Sequence, residues 1–369
     1  MKKILFFAAA AIMMVGCSSD QVVSEMPQDN AINFGMYFGR DAQSRAAIMS
    51  DADLKAQSFG VFAYYTEGSD YDGGTFTPNF MFNQLVKWNT TASAWEYTPL
   101  KYWPNNPGDK LSFFAYAPYS EQLNGNIALA DGFNNTSTSA PALKYTLAAN
   151  LADHVDLLWA EPVENKTKQT TTEKVHFIFQ HALSRIGFKS VAVIDEVNGD
   201  NNGEVDDASH PNPLDGNTKI TLKSIKLTGN FYQGGTLNLK TGAWDDYVSA
   251  ASTVYNWGAG EINNSDVTTT KTVVLKDESY LTVLPHTSNQ KIQIEVVYTV
   301  KTTDEALDGG YSEVTNTITS DEFDFTFQKG YAYNFVLHVG LTSVKFSAEV
   351  ANWDPEQGTD IVVNVPLNN

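Results

Sequence analysis

Ile32-Asn33-Phe34-Gly35-Met36-Tyr37-Phe38 alternates without a break. In an extended chain Ile32, Phe34, Met36 and Phe38 fall on one face, whereas a helix would scatter them around its axis. The stretch therefore reads as a half-buried β-strand. The residues after it, 39–47 (GRDAQSRAA), are polar and carry Arg40 and Arg45. Ser50 and Asp51 then cap one short helical turn over 50–53.

The same period recurs outward along the chain. Further strands are predicted at 58–65, 80–88, 95–102, 110–116, 143–147 and 155–160, enough with the first for one sandwich. Trp103-Pro104-Asn105-Asn106-Pro107-Gly108-Asp109 is a turn between two of them. Residues 166–173 (KTKQTTTE) contain no apolar side chain and read as a linker. A second set is predicted at 174–179, 186–194, 220–228, 236–239, 272–275, 280–284, 292–299, 314–319, 322–327, 333–339, 344–350 and 361–365. Residues 195–216, rich in Asp, Asn, Gly and Pro, form a long loop. Thr, Val and Tyr recur between turn residues, and long amphipathic helices are missing from the pattern. The fold class is all-β, and a βαβ architecture is excluded.

The N-terminus is different in kind. Lys2 and Lys3 precede an unbroken apolar run over 4–15. That run is shorter than the ~20 residues a membrane-spanning helix needs. It reads as a signal peptide and stands apart from the fold. It ends at Met14-Val15-Gly16-Cys17, which looks like the lipobox of bacterial lipoproteins, with Met14 where that pattern prefers Leu. Cys17, the one cysteine of 369 residues, stands where lipidation needs a thiol. An outer-membrane lipoprotein precursor is expected, with no cofactor beyond a covalent lipid on Cys17. No intramolecular disulfide can form, so stability rests on burial. The expected divisions are a leader at 1–17, a tether and first strand at 18–45, an N-terminal sandwich at 46–172 and a C-terminal one at 173–369.

The formal net charge is −19 and the pI about 4.6. This disfavours nucleic acid as a partner, since basic patches are needed to displace its counterions. Catalytic patterns are weak. No nucleophile elbow or Ser-x-x-Lys is present. Asp153, Asp156 and Glu161 cluster in sequence, which does not establish the separation a glycosidase needs. His154, His176, His181, His210, His286 and His338 show no zinc spacing. Asn198, Asp200, Asn202 and Glu204 partly resemble a calcium loop, but Ser209 stands where a bidentate Glu is required. Trp88, Trp95, Tyr97, Tyr102, Trp103, Tyr116 and Tyr119 would stack on sugars if exposed. Their alternation along strands favours the core instead.

Several segments together are similar to the fimbrillins of Bacteroidetes, the type V pilus subunits, in their Mfa-like branch. These are 32–38 followed by Ser44-Arg45-Ala46, and Phe59-Gly60-Val61-Phe62-Ala63-Tyr64. Tyr102-Trp103-Pro104 leading into Leu111-Ser112-Phe113-Phe114-Ala115-Tyr116-Ala117-Pro118 is the most specific. Phe179-Gln180-His181-Ala182-Leu183-Ser184-Arg185-Ile186 and Phe327-Gln328-Lys329-Gly330-Tyr331-Ala332-Tyr333 complete the set. The resemblance implies two tandem transthyretin-like β-sandwich domains and export as a lipoprotein; with no catalytic motif in the chain, no enzymatic activity is expected. It implies an Arg-specific protease that cuts after Arg45, before Ala46, with Arg40 as runner-up. The strand carrying Ile32, Phe34, Met36 and Phe38 would then leave with the lipid, and a tail strand of another pilus subunit would fill its place. Two tail segments qualify as donor: Val344, Phe346, Ala348 and Val350, or Ile361, Val363 and Val365. Shaft, tip and anchor roles all remain open, with host or bacterial surface ligands as further partners. The competing reading is a permanently anchored lipoprotein that binds glycans through its aromatics.

Overall fold

The computed structural model describes residues 30–38, 51–119, 126–168, 173–193, 218–276, 279–303, 305–353 and 361–364. Cys17, Arg40, Arg45, Ala46, Val365 and the loop with Asn198, Asp200, Asn202 and Glu204 lie outside these residues. So do the side chains of Phe38, Ile361 and Val363.

The chain is nearly all β, as its alternation requires. First come β1 (Phe34–Phe38), the helix α1 (Asp51–Gln57), β2 (Phe59–Tyr65), β3 (Met81–Asn89), β4 (Ala94–Glu96) and β5 (Leu111–Ala117). Then follow β6 (Ile127–Leu129), β7 (Ala142–Thr146), β8 (Leu158–Ala160), β9 (Val163–Lys166), β10 (Val175–His181) and β11 (Ser184–Ala192). The long β12 (Thr218–Asn238) and β13 (Trp244–Trp257) precede the short β14 (Asp266–Val267), β15 (Thr272–Val273) and β16 (Leu281–Val283). β17 (His286–Thr303), β18 (Tyr311–Thr319), β19 (Phe323–Phe327), β20 (Tyr331–Val339), β21 (Val344–Asn352) and β22 (Ile361–Asn364) complete the order.

Three sheets result. The first runs β1-β10-β8-β5-β2-β3-β4, with β9 also on β5. The second runs β15-β11-β20-β21-β22, with β16 also on β11. The third runs β18-β17-β12-β7-β6, with β13 and β14 on β12 and β19 on β17. The second and third sheets face each other as a β-sandwich, filled by Phe188, Leu227, Trp257, Tyr298, Phe335 and Phe346 among others.

The central strands β2 and β5 of the first sheet are covered on both faces, which explains their near-continuous apolar runs. Phe59, Val61, Phe113 and Ala115 face one core with Trp95 and Trp103. Phe62, Tyr64, Phe114 and Tyr116 face another with Tyr145, Leu237 and Trp353. Gly60 is forced by this packing, because a Cβ there would lie 2.4 Å from the Tyr116 ring.

Sheet membership does not follow the linker expected at 166–173. β10, beyond it, remains in the first sheet. β6 and β7, before it, join β12 in the third. The chain passes from first to second sheet at Ala182 and Leu183, both buried.

Candidate functional site

β1 lies at an edge of the first sheet and pairs in parallel with β10, from Phe34 opposite Val175 to Phe38 opposite Phe179. Residues just before it are laced to the opposite rim. Ile32 N–H donates to the Lys101 carbonyl at 2.9 Å, and Trp103 N–H to the Asn30 carbonyl at 3.0 Å. The Tyr97 hydroxyl donates to the Ile32 carbonyl at 2.8 Å. Burial pushes the pKa of that hydroxyl up to about 12. Segment 30–38 thus fills a cleft between 97–103 and β10.

The cleft is apolar where alternation places apolar side chains. Ile32 and Phe34 are buried, and Met36 packs partly against the same core. The Phe34 ring stacks on Phe177 at 5.7 Å between centroids. It also meets Tyr97 at 5.3 Å, Phe113 at 6.1 Å and Phe59 at 6.3 Å. Each buried side chain of this kind contributes about 1.5–3 kcal/mol, so emptying the cleft costs several kcal/mol. It also leaves an unpaired ladder on β10. Beside the strand opens a cavity of about 730 Å³, between Ala31 and Asn33 on one side and Trp95, Tyr97 and Leu100 on the other.

The two tail segments are held differently. β21 pairs with β20 from Tyr331 opposite Asn352 to Val339 opposite Val344. Its Val344, Phe346, Ala348 and Val350 are buried in the sandwich core. On its outer face Glu349 binds Lys189 at 2.6 Å and also Lys271, and these cations hold its carboxyl below the usual range against the opposing effect of burial. Among the described residues β22 pairs with 347–350 of β21 alone and ends that sheet. Between them stands Trp353, buried and stacked on His181 with centroids 4.0 Å apart and planes 3° from parallel. Its backbone N–H donates to the Gly330 carbonyl at 2.6 Å. The pattern of alternation does not reveal this stack, because its partners are far apart in sequence.

Other candidate residues are dispersed. Asp156 is buried 2.9 Å from His181, while Glu161 accepts a bond from Gln180 in the open, so these carboxylates do not converge. Among the described residues no three His, Cys, Asp or Glu side chains gather as for a metal. The aromatic stretch supplies core: Trp95, Trp103, Tyr116 and Tyr119 are buried, and Trp88, Tyr97 and Tyr102 are half-buried. Trp88 lies against Trp95 at 5.3 Å and under the Lys55 ammonium at 4.7 Å. No exposed platform for sugars remains among them.

The geometry defines a β-sandwich protein whose first strand fills an apolar edge cleft. The chain belongs to the fimbrillin-like family, whose model matches residues 44–353. It is similar to the fimbrium subunit Fim1C of Phocaeicola vulgatus, with 26% identity across 98% of this chain and 99% of the relative. In fold it is similar to the crystal structure of a fimbrial protein from Bacteroides vulgatus. The TM-score is 0.67 at 22% identity, covering 88% of this chain and 100% of that one. Both relatives are fimbrial proteins.

Proposed function

We propose that the chain is a structural subunit of a surface pilus. It is exported as an outer-membrane lipoprotein through Cys17 and cut after Arg45 by an Arg-specific protease. It then assembles with other pilus subunits by strand exchange, in support of adhesion. The observation that carries this reading is the placement of β1: a strand at a sheet edge, with one ladder partner, plugging a ring-lined cleft. The family match supports the subunit reading. Loss of β1 would expose apolar surface and ladder groups together, and an incoming strand of the same period restores both.

For the donor, the later segment, with Ile361, Val363 and Val365, is the better candidate. β22 is a terminal edge strand with one neighbour. Extracting β21 would instead empty the core around Phe346.

The test uses the full chain in unlipidated form. Treatment with an Arg-specific protease should give a new N-terminus at Ala46 and SDS-resistant ladders. Arg45→Ala should remain uncut there. A chain truncated after Trp353 should be cut yet give no ladder. Clean cleavage followed by a stable monomer would count against a shaft role. Cleavage inside a sheet would sink the scheme.

A further inference from the structure

β13 forms the boundary of the third sheet on one side of β12, and among the described residues its ladder partner is β12 alone. Its opposite side is an open edge, which proteins usually blunt with proline, lysine, a bulge or a short strand. The run 247–256, Tyr-Val-Ser-Ala-Ala-Ser-Thr-Val-Tyr-Asn, has neither proline nor any charged side chain. The ladder to β12 is regular from Trp257 to Val248, and the bulge of β13 lies at its start, where one extra residue stands between Asp245 and Val248 and Asp246 has a φ of 46°. The other long open strand, β18, carries a charge, Glu313, near its start.

Two valines mark this edge. Val248 is 48% exposed and Val254 49% exposed, and both lie on the outer face of the strand. Val248 stands opposite Gly234, which offers it no cross-strand side chain. The valines are spaced symmetrically about Ala251. If a second β13 runs antiparallel about a two-fold axis at Ala251, Val248 of each copy meets Val254 of the other. The paired stretch 248–254 carries no charge, and Asp245 and Asp246 fall beyond it at the bulge, so no like charges are opposed. Aliphatic pairs of this kind are the stabilising unit of a sheet, and closed two-fold contacts reuse one patch on both partners.

The geometry points to β13 as a docking edge for a second copy of this chain, joining two third sheets into one continuous sheet. Charge supports this occupant. A chain of net charge −19 repels its own copies over most of its surface, and an uncharged edge is where two of them can approach. A ten-residue strand spans roughly 33 Å, which gives an interface below the ~1,000 Å² of a stable dimer. The contact is therefore weak between free subunits and strong when many copies stand in a row, as avidity requires. It rests on β13 alone and does not depend on β1 or on strand exchange.

Site-specific cross-linking tests it in the full precursor, with Cys17→Ser removing the native thiol. One form carries Val248→Cys, and the other Val254→Cys with a size tag. Mild oxidation of the mixture should give heterodimer about tenfold above the homodimer from either form alone, because a disulfide needs Cα atoms closer than about 7 Å. Adding Ser252→Asp to both forms should abolish the product while circular dichroism and the melting temperature stay unchanged. The proposal is overturned by equal homodimer from Val248→Cys alone. It is equally overturned by no linkage in the mixture at millimolar protein.

Discussion

β1 and β21 carry the same alternation, and each buries a phenylalanine in a core, yet they are held in different ways. Phe34 in β1 and Phe346 in β21 are both buried. β21 is clamped between two strands, with nine residues in register on β20. β1 has a single ladder partner over five residues, with side-chain and backbone bonds holding the stretch before it. Burial sets what a strand contributes to stability. The number of its neighbours sets what must break before it can leave. One strand can thus be essential to the intact chain and still removable, while the other cannot come out without opening the sandwich.

The largest expected effect separates these two. Phe346→Ala should cost about 3–5 kcal/mol in the intact chain and in a chain cut after Arg45. Phe34→Ala should cost a similar ~3–5 kcal/mol in the intact chain only. Chemical denaturation of both forms measures this, and equal losses after cleavage would show that β1 stays in place.

Acid should act on neither strand directly but at a buried histidine. His154 contacts Thr282 Oγ1 at 3.2 Å and the Ala148 carbonyl at 3.1 Å, and burial pushes its pKa down to about 4. Below pH 6.5 the unfolded chain binds a proton that the folded chain refuses until about pH 4. Stability should therefore be whole above pH 6.5 and fall by up to ~3 kcal/mol towards pH 4. His286 and His338, also held low by burial, add the same sign. His154→Gln should flatten the slope in part, and an unchanged slope would remove His154 from the account.

Smaller effects sharpen the contrast. Tyr97→Phe should cost about 1 kcal/mol, through the lost bond to the Ile32 carbonyl, and should speed release of β1 after cleavage. Glu349→Gln, on the outer face of β21, should cost about 0.5–1 kcal/mol and release nothing. Stopped-flow fluorescence and thermal melts distinguish these outcomes.

The strands β1, β10 and β21 are legible because their apolar positions follow a period of two, and β2 and β5 because their apolar runs are nearly unbroken. Their partners are not, since alternation names a face and leaves the neighbour open; nothing in 32–38 points to β10. The third sheet was read least well. Expected strands at 220–228 and 236–239 are one strand, β12, whose Gly229, Gly234 and Gly235 imitate a break. β13 escaped notice altogether, because Asp245, Asp246 and a run of Ser and Ala hide its inward Tyr255 and Trp257. The strand expected at 95–102 stops at Glu96, and the chain turns at Pro99. At the cleft, the inward face was plain from sequence, but the lacing by Tyr97 and the stack of Trp353 on His181 needed three dimensions.

The passage at Ala182 and Leu183 bears on how the molecule answers a pull. Only these two residues separate β10 from β11, and both are buried. Gly330 N–H donates to the Leu183 carbonyl at 2.9 Å, and Trp353 seals the same place against His181. Tension entering the first sheet through β10 therefore passes directly into the second, without a slack loop to stretch first. A row of such subunits would transmit force strand to strand, and extend only when a sheet itself gives way.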